Sequence, residues 1–413
     1  MSEQAMQLSD YARQVVPFYV MQVVREAAAL APQAAASGQP MIYLNVGEPD
    51  FTAPPLVQEA GERAIRDGRT HYTDSSGLPE LRERISGWYA ERFGVQVPAR
   101  RIVVTAGASA ALQLACLALL NAGDEVLMAD PGYPCNRQFV RMTGAQPVPL
   151  PATAATRFQP SAAQIAAAMT PRTRAALLAS PANPTGTSIA HEELRAIHDA
   201  LAARGAATIV DEIYLGLSHD AAFGKSALAL GEDIISINSF SKYFCMTGWR
   251  LGWLVVPEPL LPAVELTAQH LYISPSTPAQ YAALACFEAE SLAEYERRRA
   301  ELKARRDWFV PQLESLGLHV PVMPDGAFYV WAQCEEVARK LCGAPTGNTP
   351  EDAPSWRLAD TLLRRAHVAV TPGRDFGDFG TAGCLRFSTA SSLEHLQEAV
   401  QRIRTLLEGA GEE

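Results

Sequence analysis

The sequence predicts an α/β protein with a large, mostly parallel sheet flanked by helices and a smaller α+β domain built from both ends of the chain. Two observations support this prediction. Between residues 100 and 256, short apolar runs alternate with segments of helical periodicity, which is typical of parallel strands covered by helices on both faces. In addition, 413 residues exceed the size of one ordinary domain, so we expect more than one compact unit.

Six runs in the central region have the character of strands. They are short and apolar, and β-branched residues are frequent in them. They span residues 101–105, 125–129, 174–180, 207–211, 234–238 and 251–256. Helical periodicity fills most of the intervals, as where Leu194, Ile197 and Leu201 share one face. Because ligands gather at the carboxyl ends of the strands in such sheets, residues just after these runs are the first to consider for function.

The two ends of the chain have a different pattern. We expect residues 1–46 to form an N-terminal arm and the first part of the smaller domain, residues 47–290 the large domain, and residues 291–413 the smaller C-terminal domain. One or two long helices are predicted over 277–310 and a strand over 326–331. The Pro-, Gly- and Thr-rich loop 343–354 has no function that its sequence indicates.

Composition excludes several classes of function. The net charge of −10 argues against binding to nucleic acid or to an anionic membrane surface. No run is long and apolar enough to cross a bilayer, and the first residues lack the features of a signal peptide. Seven scattered cysteines, an odd number, favour a reducing cytoplasm. No ligand set with metal-binding spacing occurs, so we expect no metal.

The segment from Ser239 to Arg250 carries the most chemical information. Lys242 follows a short apolar strand, hydroxyls flank it, and Arg250 lies eight positions further on. A lysine at the end of a strand can be partly desolvated, which lowers its pKa toward the nucleophilic amine. The hydroxyls and the arginine suit a phosphate group. A lysine that forms an imine beside a phosphate site is what the chemistry of pyridoxal 5′-phosphate requires.

Three further segments follow predicted strands. Gly107, Ala108 and Ser109 open a helix, where small residues and the helix N-terminus suit an anion, although an ordinary turn with a serine cap is an alternative. Asn183 precedes a proline, which holds its backbone extended. Asp211 ends a strand, and it could simply cap the next helix.

Six motifs, which follow one another along nearly the whole chain, together resemble the class I/II aminotransferases of fold type I, the group similar to aspartate aminotransferase. They are Gly47-Glu48-Pro49-Asp50-Phe51, Tyr72 with Gly77-Leu78-Pro79-Glu80-Leu81-Arg82, Asn183-Pro184-Thr185-Gly186, Asp211-Glu212-Ile213-Tyr214, Ser239-x-Ser241-Lys242 and Gly248-Trp249-Arg250-Leu251-Gly252. The resemblance implies a transaminase that uses pyridoxal 5′-phosphate in a ping-pong reaction between an amino acid and a 2-oxo acid.

The resemblance also implies the role of each residue toward the cofactor. Lys242 would form the imine and then move a proton as general base and acid. Asp211 would pair with the pyridinium nitrogen, and an ion pair near 4 Å is worth roughly 4 kcal/mol at an effective dielectric constant of 20. Tyr214 and Asn183 would bind the phenolate oxygen of the ring. The phosphate would be held by Ser109, Ser239, Ser241, Arg250 and the amide of Ala108 in the turn that starts at Gly107.

Four other positions complete the implied site. Tyr133 would stack on the pyridine ring, although packing within its loop is an alternative. Tyr72 would reach the phosphate of a neighbouring subunit, which implies a homodimer with the active site at the interface. Arg386, with Gly47 and Asn183, would bind the α-carboxylate of the substrate. From the alternation along its strand alone, Arg386 would instead face solvent.

Departures from the family pattern bear on the substrate. No arginine in the segment 270–274 is placed to bind a second carboxylate, so we expect a neutral or hydrophobic side chain, met by Phe18, Tyr19 and Tyr272. A pyridoxal-phosphate-dependent C–S β-lyase is the main alternative. A serine acylase of the S-x-x-K type would use Ser239 with Lys242, but neither Ser-Asp-Asn nor Lys-Thr-Gly occurs in the chain.

Overall fold

The computed structural model describes residues 6–345, 347 and 349–410. Parts of three sequence predictions lie outside these residues: residues 1–5 of the predicted arm, 346 and 348 of the loop 343–354, and 411–413 of the predicted smaller domain.

A seven-stranded sheet forms the centre of the fold, in the order β2-β8-β7-β6-β5-β3-β4. The strands are β2 (Ile102–Thr105), β3 (Glu125–Asp130), β4 (Gln146–Pro151), β5 (Thr173–Ala179), β6 (Ala207–Asp211), β7 (Ile235–Ser239) and β8 (Gly252–Val255). Only β8 runs antiparallel to its neighbours β2 and β7. Each of the six predicted runs forms a strand, so the mostly parallel sheet is confirmed.

The edge strand β4 was not predicted from the sequence. It contains Pro147, Pro149 and Pro151, and proline cannot donate a hydrogen bond to a neighbouring strand. At the edge of the sheet β4 pairs only with β3, so proline is tolerated there. An apolar pattern interrupted by prolines does not reveal such a strand.

Helices cover both faces of the large sheet and extend to both ends of the chain. They are α1 (Asp10–Gln14), α2 (Tyr19–Ala36), α3 (Pro55–Arg66), α4 (Pro79–Phe93), α5 (Ala108–Leu119), α6 (Pro134–Met142), α7 (Ala162–Ala168), α8 (His191–Ala202), α9 (Leu261–Tyr272), α10 (Thr277–Leu284), α11 (Ala289–Ser315), α12 (Glu335–Cys342), α13 (Pro354–Thr361) and α14 (Leu393–Gly409). The predicted helical region 277–310 is divided between α10 and α11.

A smaller α+β region is built from both ends of the chain. Strands β11 (Thr371–Pro372), β12 (Cys384–Ser388) and β9 (Tyr329–Gln333) form an antiparallel sheet, and β1 (Ile42–Tyr43) pairs in parallel with β10 (Val368–Ala369). A separate hydrophobic core joins β9 and β12 to α11 and α14. The core of the large sheet extends to Tyr295, Leu302 and Tyr329, and the predicted domain boundaries at 46/47 and 290/291 stay a prediction.

Candidate active site

A cavity of about 480 Å³ opens at the carboxyl ends of the central strands. It is bounded by most of the residues that the sequence singled out. These are Gly47, Ala108, Ser109, Tyr133, Asn183, Asp211, Tyr214, Ser239, Ser241, Lys242, Arg250 and Arg386. Because β5, β6 and β7 run parallel, their ends bring residues from three distant segments to one edge of the sheet.

Lys242 lies on the loop after β7, and aromatic side chains hold this loop in place. Phe240 and Phe244 are fully buried, with ring centroids 5.0 Å apart, and the Phe240 ring is also 5.0 Å from that of Trp253. Burial of each such side chain contributes roughly 1.5–3 kcal/mol to stability. The lysine is therefore fixed at both sides by the core, while its own side chain points into the cavity.

Burial lowers the pKa of the Lys242 amine to about 8. The nearby Glu48 carboxylate opposes this change, whereas Arg386 and Arg250 reinforce it. The Lys242 Nζ donates a hydrogen bond to the carbonyl oxygen of Gly47 at 2.6 Å. An amine with this pKa is a good nucleophile toward an aldehyde near neutral pH.

Asp211 ends β6, is buried and lines the cavity. Burial raises the pKa of its carboxyl to about 6, while the amide of Ile213, 3.1 Å from Oδ1, and the charge of Lys242 act in the opposite direction. The capping role considered as an alternative from sequence is not formed, because the short helix Leu215–Leu217 that follows has no side-chain cap and the carboxylate binds the amide of Ile213 instead. The carboxylate also lines the cavity, where it can pair with a cationic ring nitrogen.

One end of the cavity is built for an anion. Helix α5 begins there, and its N-cap Gly107 has a φ of +85° and makes no side-chain cap, so the serine cap considered from sequence is not formed. A Cβ on Gly107 would lie 2.6 Å from Nη2 of Arg250, which shows how closely the guanidinium approaches this helix. Gly107 itself does not line the cavity, while Ala108 and Ser109 do. Helix N-termini and arginine both favour phosphate.

The hydroxyl of Ser239 belongs to the same end but makes its hydrogen bonds with the backbone. It donates to the carbonyl of Leu251 at 3.2 Å and accepts from the amide of Ser241 at 3.0 Å. Lys242 bonds to Gly47 and not to Ser239, so Ser239 and Lys242 are not arranged as a nucleophile and its base. The geometry does not support a serine acylase.

Arg386 faces the cavity and not solvent, since only 2% of its surface is exposed. Strand β12 has a neighbour on each side, and the guanidinium lies 4.4 Å from the ring centroid of Tyr329. Its Nη1 donates to Oδ1 of Asn183 at 2.9 Å and its Nη2 to the carbonyl of Asn45 at 2.7 Å. The buried Nε–H has no hydrogen-bond partner among the described residues, so a donor remains for a carboxylate.

Tyr329 is a site residue that the sequence analysis missed. Its hydroxyl lies 2.8 Å from that of Tyr214, and a Cβ on Gly47 would be 2.6 Å from the same oxygen. Residue 47 must therefore be glycine if Tyr329 is to keep its place. Tyr329 stands in a strand that was predicted, but an apolar run with one tyrosine gives no sign that the hydroxyl enters a site.

The start of α2 forms an apolar wall of the cavity, again without a signal in the sequence beyond Phe18. Phe18, Val20, Met21 and Val24 line it. Of the three aromatic residues expected there, Tyr19 instead contacts the ring of Trp356, with centroids 5.6 Å apart, and Tyr272, the last residue of α9, packs partly buried against the hydrophobic core. Neither of them lines the cavity.

Tyr72 is 77% exposed and does not reach the cavity of its own chain. The role of Tyr72 at a neighbouring subunit stays a prediction.

The residues of the cavity fit pyridoxal 5′-phosphate. A reactive amine at Lys242, an enclosed carboxylate at Asp211 and an anion site at Arg250 match the aldehyde, ring nitrogen and phosphate of this molecule. Within the described ranges, no three His, Cys, Asp or Glu residues are placed to hold a metal ion. No helix in the described part of the chain is long and apolar enough to span a membrane.

Fold and cavity together define a pyridoxal-phosphate-dependent enzyme of the aspartate aminotransferase type. The model of the family "Aminotransferase class I and II" matches residues 39–403. The chain is 36% identical over 394 residues to a valine–pyruvate aminotransferase of Mycobacterium tuberculosis, covering 95% of this chain and 97% of that one. It is 34% identical over 381 residues to an aspartate aminotransferase of Pyrococcus horikoshii, covering 91% and 93%.

Solved structures agree with these sequence relationships. The crystal structure of an aminotransferase from Mycobacterium tuberculosis is similar with a TM-score of 0.90 at 35% identity, over 98% of this chain and 100% of that one. Aspartate aminotransferase from Thermus thermophilus with maleate gives 0.86 at 32% identity, over 97% and 100%. The chain therefore belongs to the class I and II aminotransferases, which are pyridoxal-phosphate-dependent transaminases acting on small molecules.

Proposed function

We propose that this enzyme transfers the amino group of an L-amino acid with a neutral or hydrophobic side chain to a 2-oxo acid by a ping-pong mechanism. The observation that supports the preference is the combination of one carboxylate site with an apolar wall. Among the described residues of one chain, the cations that line the cavity are Lys242, Arg250 and Arg386. Two of them are required by the cofactor, which leaves Arg386 for a single substrate carboxylate.

The apolar wall is the natural contact for the substrate side chain. Phe18, Val20, Met21 and Val24 offer no hydrogen-bond donor from their side chains to a second carboxylate. A buried carboxylate without a partner costs several kcal/mol, whereas an aliphatic group gains about 0.8 kcal/mol per buried CH₂. Because the apolar wall disfavours a second carboxylate and favours an aliphatic group, substrates such as leucine or phenylalanine should be preferred over aspartate.

When bound, the cofactor supplies an aldehyde that takes up the amino group and a ring that accepts the electron pair. Lys242, with its lowered pKa, would remove the proton from the substrate Cα as general base and deliver it, as general acid, to the carbon of the cofactor that carried the aldehyde. Asp211 would keep the ring nitrogen protonated, and Tyr214 and Asn183 would donate hydrogen bonds to the ring oxygen. Tyr133 would pack against the ring face.

The remaining assignments concern binding. The phosphate would be held by Ser109, Ser241, Arg250 and the amide of Ala108, and Ser239 would join them once its O–H, which donates to the carbonyl of Leu251, turns toward the phosphate. The substrate α-carboxylate is bound by Arg386 together with Gly47 and Asn183, whose amide oxygen already fixes the guanidinium at 2.9 Å. This contact orients Arg386 before the substrate arrives, which reduces the entropy lost on binding.

We further propose a homodimer in which Tyr72 completes the phosphate site of the partner, because its side chain is exposed and distant from its own cavity. Mixing Tyr72→Phe with Lys242→Ala protein tests this. Each hybrid dimer then contains one intact site, and activity should reappear on mixing. No recovery of activity in a verified hybrid would contradict the proposed role of Tyr72.

The seven unpaired cysteines favour a cytoplasmic location.

The experiment that tests the reaction is a single-turnover titration of the holoenzyme. Alanine, valine, leucine, phenylalanine, aspartate and glutamate are added separately, and the loss of the cofactor's visible absorbance is followed by stopped flow. We expect leucine or phenylalanine to react fastest, and Lys242→Ala protein to give no half-reaction with any of them. A kcat/KM for aspartate far above that for the neutral amino acids would refute the preference. Pyruvate release from cystathionine without an oxo acid would indicate the C–S β-lyase instead.

A further inference from the structure

The first turn of α2 is held by a carboxylate from the far end of the chain. The amide of Tyr19 donates to Oδ1 of Asp375 at 2.8 Å and the amide of Val20 donates to Oδ2 at 2.6 Å. Phe18, the N-cap residue of α2, provides no side-chain cap. Asp375, only 5% exposed, thus satisfies amides that a helix leaves without partners, a task that a local serine or aspartate usually performs.

The neighbouring residue strengthens the same attachment. The guanidinium of Arg374 lies 4.0 Å from the ring centroid of Tyr19 and 4.7 Å from that of Trp356, and its Nη2 donates to the Tyr19 hydroxyl at 2.8 Å. The loop that carries Asp375 is tied to the large domain as well, since Arg137 donates to the Asp375 carbonyl at 3.1 Å. The start of α2 is therefore attached to a segment that is itself bonded to α6.

The opposite side of this turn forms the apolar wall of the cavity. Val20 donates its amide to Asp375 and also lines the cavity, together with Phe18 and Met21. The ring of Phe18 meets that of Tyr133 edge-on, with centroids 6.3 Å apart. A shift of this turn would consequently move the wall relative to the reacting atoms.

The same loop also contacts the carboxylate site. The ring of Phe376 lies 5.0 Å from the guanidinium of Arg386. Asp375 itself does not line the cavity. We propose that Asp375 is a positioning residue that sets the distance between Arg386 and the apolar wall, so that an amino acid bound at Arg386 packs its side chain against Phe18 and Val20. Asp375 thereby controls the discrimination between large and small apolar substrates.

The test compares substrates of different size in the holoenzyme. Because one methylene in an apolar pocket is worth roughly 10- to 200-fold in kcat/KM, Asp375→Ala should lower the value for leucine by at least about tenfold more than the value for alanine. Asp375→Asn keeps one oxygen acceptor, so its leucine-to-alanine ratio of kcat/KM should lie between the ratios of the wild type and of Asp375→Ala protein. Hydrogen exchange followed by mass spectrometry should show faster exchange of the amides of residues 19–24 in Asp375→Ala protein.

Ser392→Ala is the matched control, because Ser392 caps α14 through the amide of His395 at 3.2 Å and lies away from the cavity. It should leave both the leucine-to-alanine ratio and the exchange at 19–24 unchanged. Equal losses for leucine and alanine in both Asp375 variants, or unaltered exchange at 19–24, would overturn the proposal. It rests on the proposed preference for apolar side chains, which the wild-type panel tests separately: a wild-type preference for aspartate refutes that preference, while the ratio in the variants still decides the role of Asp375.

Discussion

Replacement of Gly107 by alanine should weaken cofactor binding and destabilise the fold through two separate causes, contact with Arg250 and backbone strain. The added Cβ would lie 2.6 Å from Nη2 and 3.2 Å from Cζ of Arg250, so the guanidinium must move away from the start of α5. Movement of a flexible side chain costs little in the apoenzyme. It removes, however, a charge-assisted hydrogen bond to the phosphate, which is worth about 1.5–3 kcal/mol.

That energy corresponds to a rise of roughly 10- to 150-fold in the dissociation constant of pyridoxal 5′-phosphate. The backbone adds a separate cost, since a φ of +85° with a ψ of 168° is a conformation that non-glycine residues adopt only with strain of about 1–3 kcal/mol. This cost lowers the stability of the fold and is measured independently by urea denaturation of the apoenzyme.

Titration of apoenzyme with the cofactor, followed by quenching of tryptophan fluorescence, gives the dissociation constant. Gly205→Ala is the control, because Gly205 also has a positive φ, +68°, but a Cβ there meets nothing within 4 Å. The Gly205→Ala protein should have a lower free energy of unfolding and an unchanged dissociation constant for the cofactor. Wild-type affinity in Gly107→Ala protein, or an equal loss of affinity in the control, would refute the reasoning.

Three further predictions concern the lysine, the tyrosine pair and the carboxylate site. Since burial lowers the pKa of Lys242 to about 8, reductive methylation of this residue in the apoenzyme should increase with pH through a midpoint near 8, and a midpoint like that of a lysine peptide, about 10.4, would be evidence against the burial argument. Tyr329→Phe should lower the free energy of unfolding by about 1 kcal/mol, because the buried Tyr214 hydroxyl loses its partner at 2.8 Å; an unchanged urea midpoint would argue against this. Arg386→Lys should reduce kcat/KM for all amino acids by roughly 10- to 150-fold, since lysine cannot form a bidentate hydrogen bond with the α-carboxylate of the substrate. The same Arg386→Lys variant should bind cofactor normally, and steady-state kinetics showing a loss confined to one substrate would contradict the assignment.

The strands and the centre of the site could be predicted from sequence for a local reason. Uninterrupted apolar runs such as 175–179 are typical of parallel strands that are buried on both faces of a sheet. Parallel strands then place their carboxyl ends together, so Asp211 and Lys242 had to lie close to one edge. The edge strand β4 escaped prediction because the local pattern is obscured by proline.

What only the tertiary structure decided are the contacts between segments that are remote in sequence. Alternation along β12 suggested a solvent-facing Arg386, yet the pairing with β9 and β11 and the approach of Asn183, 203 positions away, bury its guanidinium beside the cavity. Packing between distant segments likewise brings Tyr329 and the apolar face of α2 to the cavity. Local sequence determines which backbone conformation a segment prefers, whereas the surface that its side chains meet depends on how distant segments pack, and that packing is decided by the free energy of the whole fold.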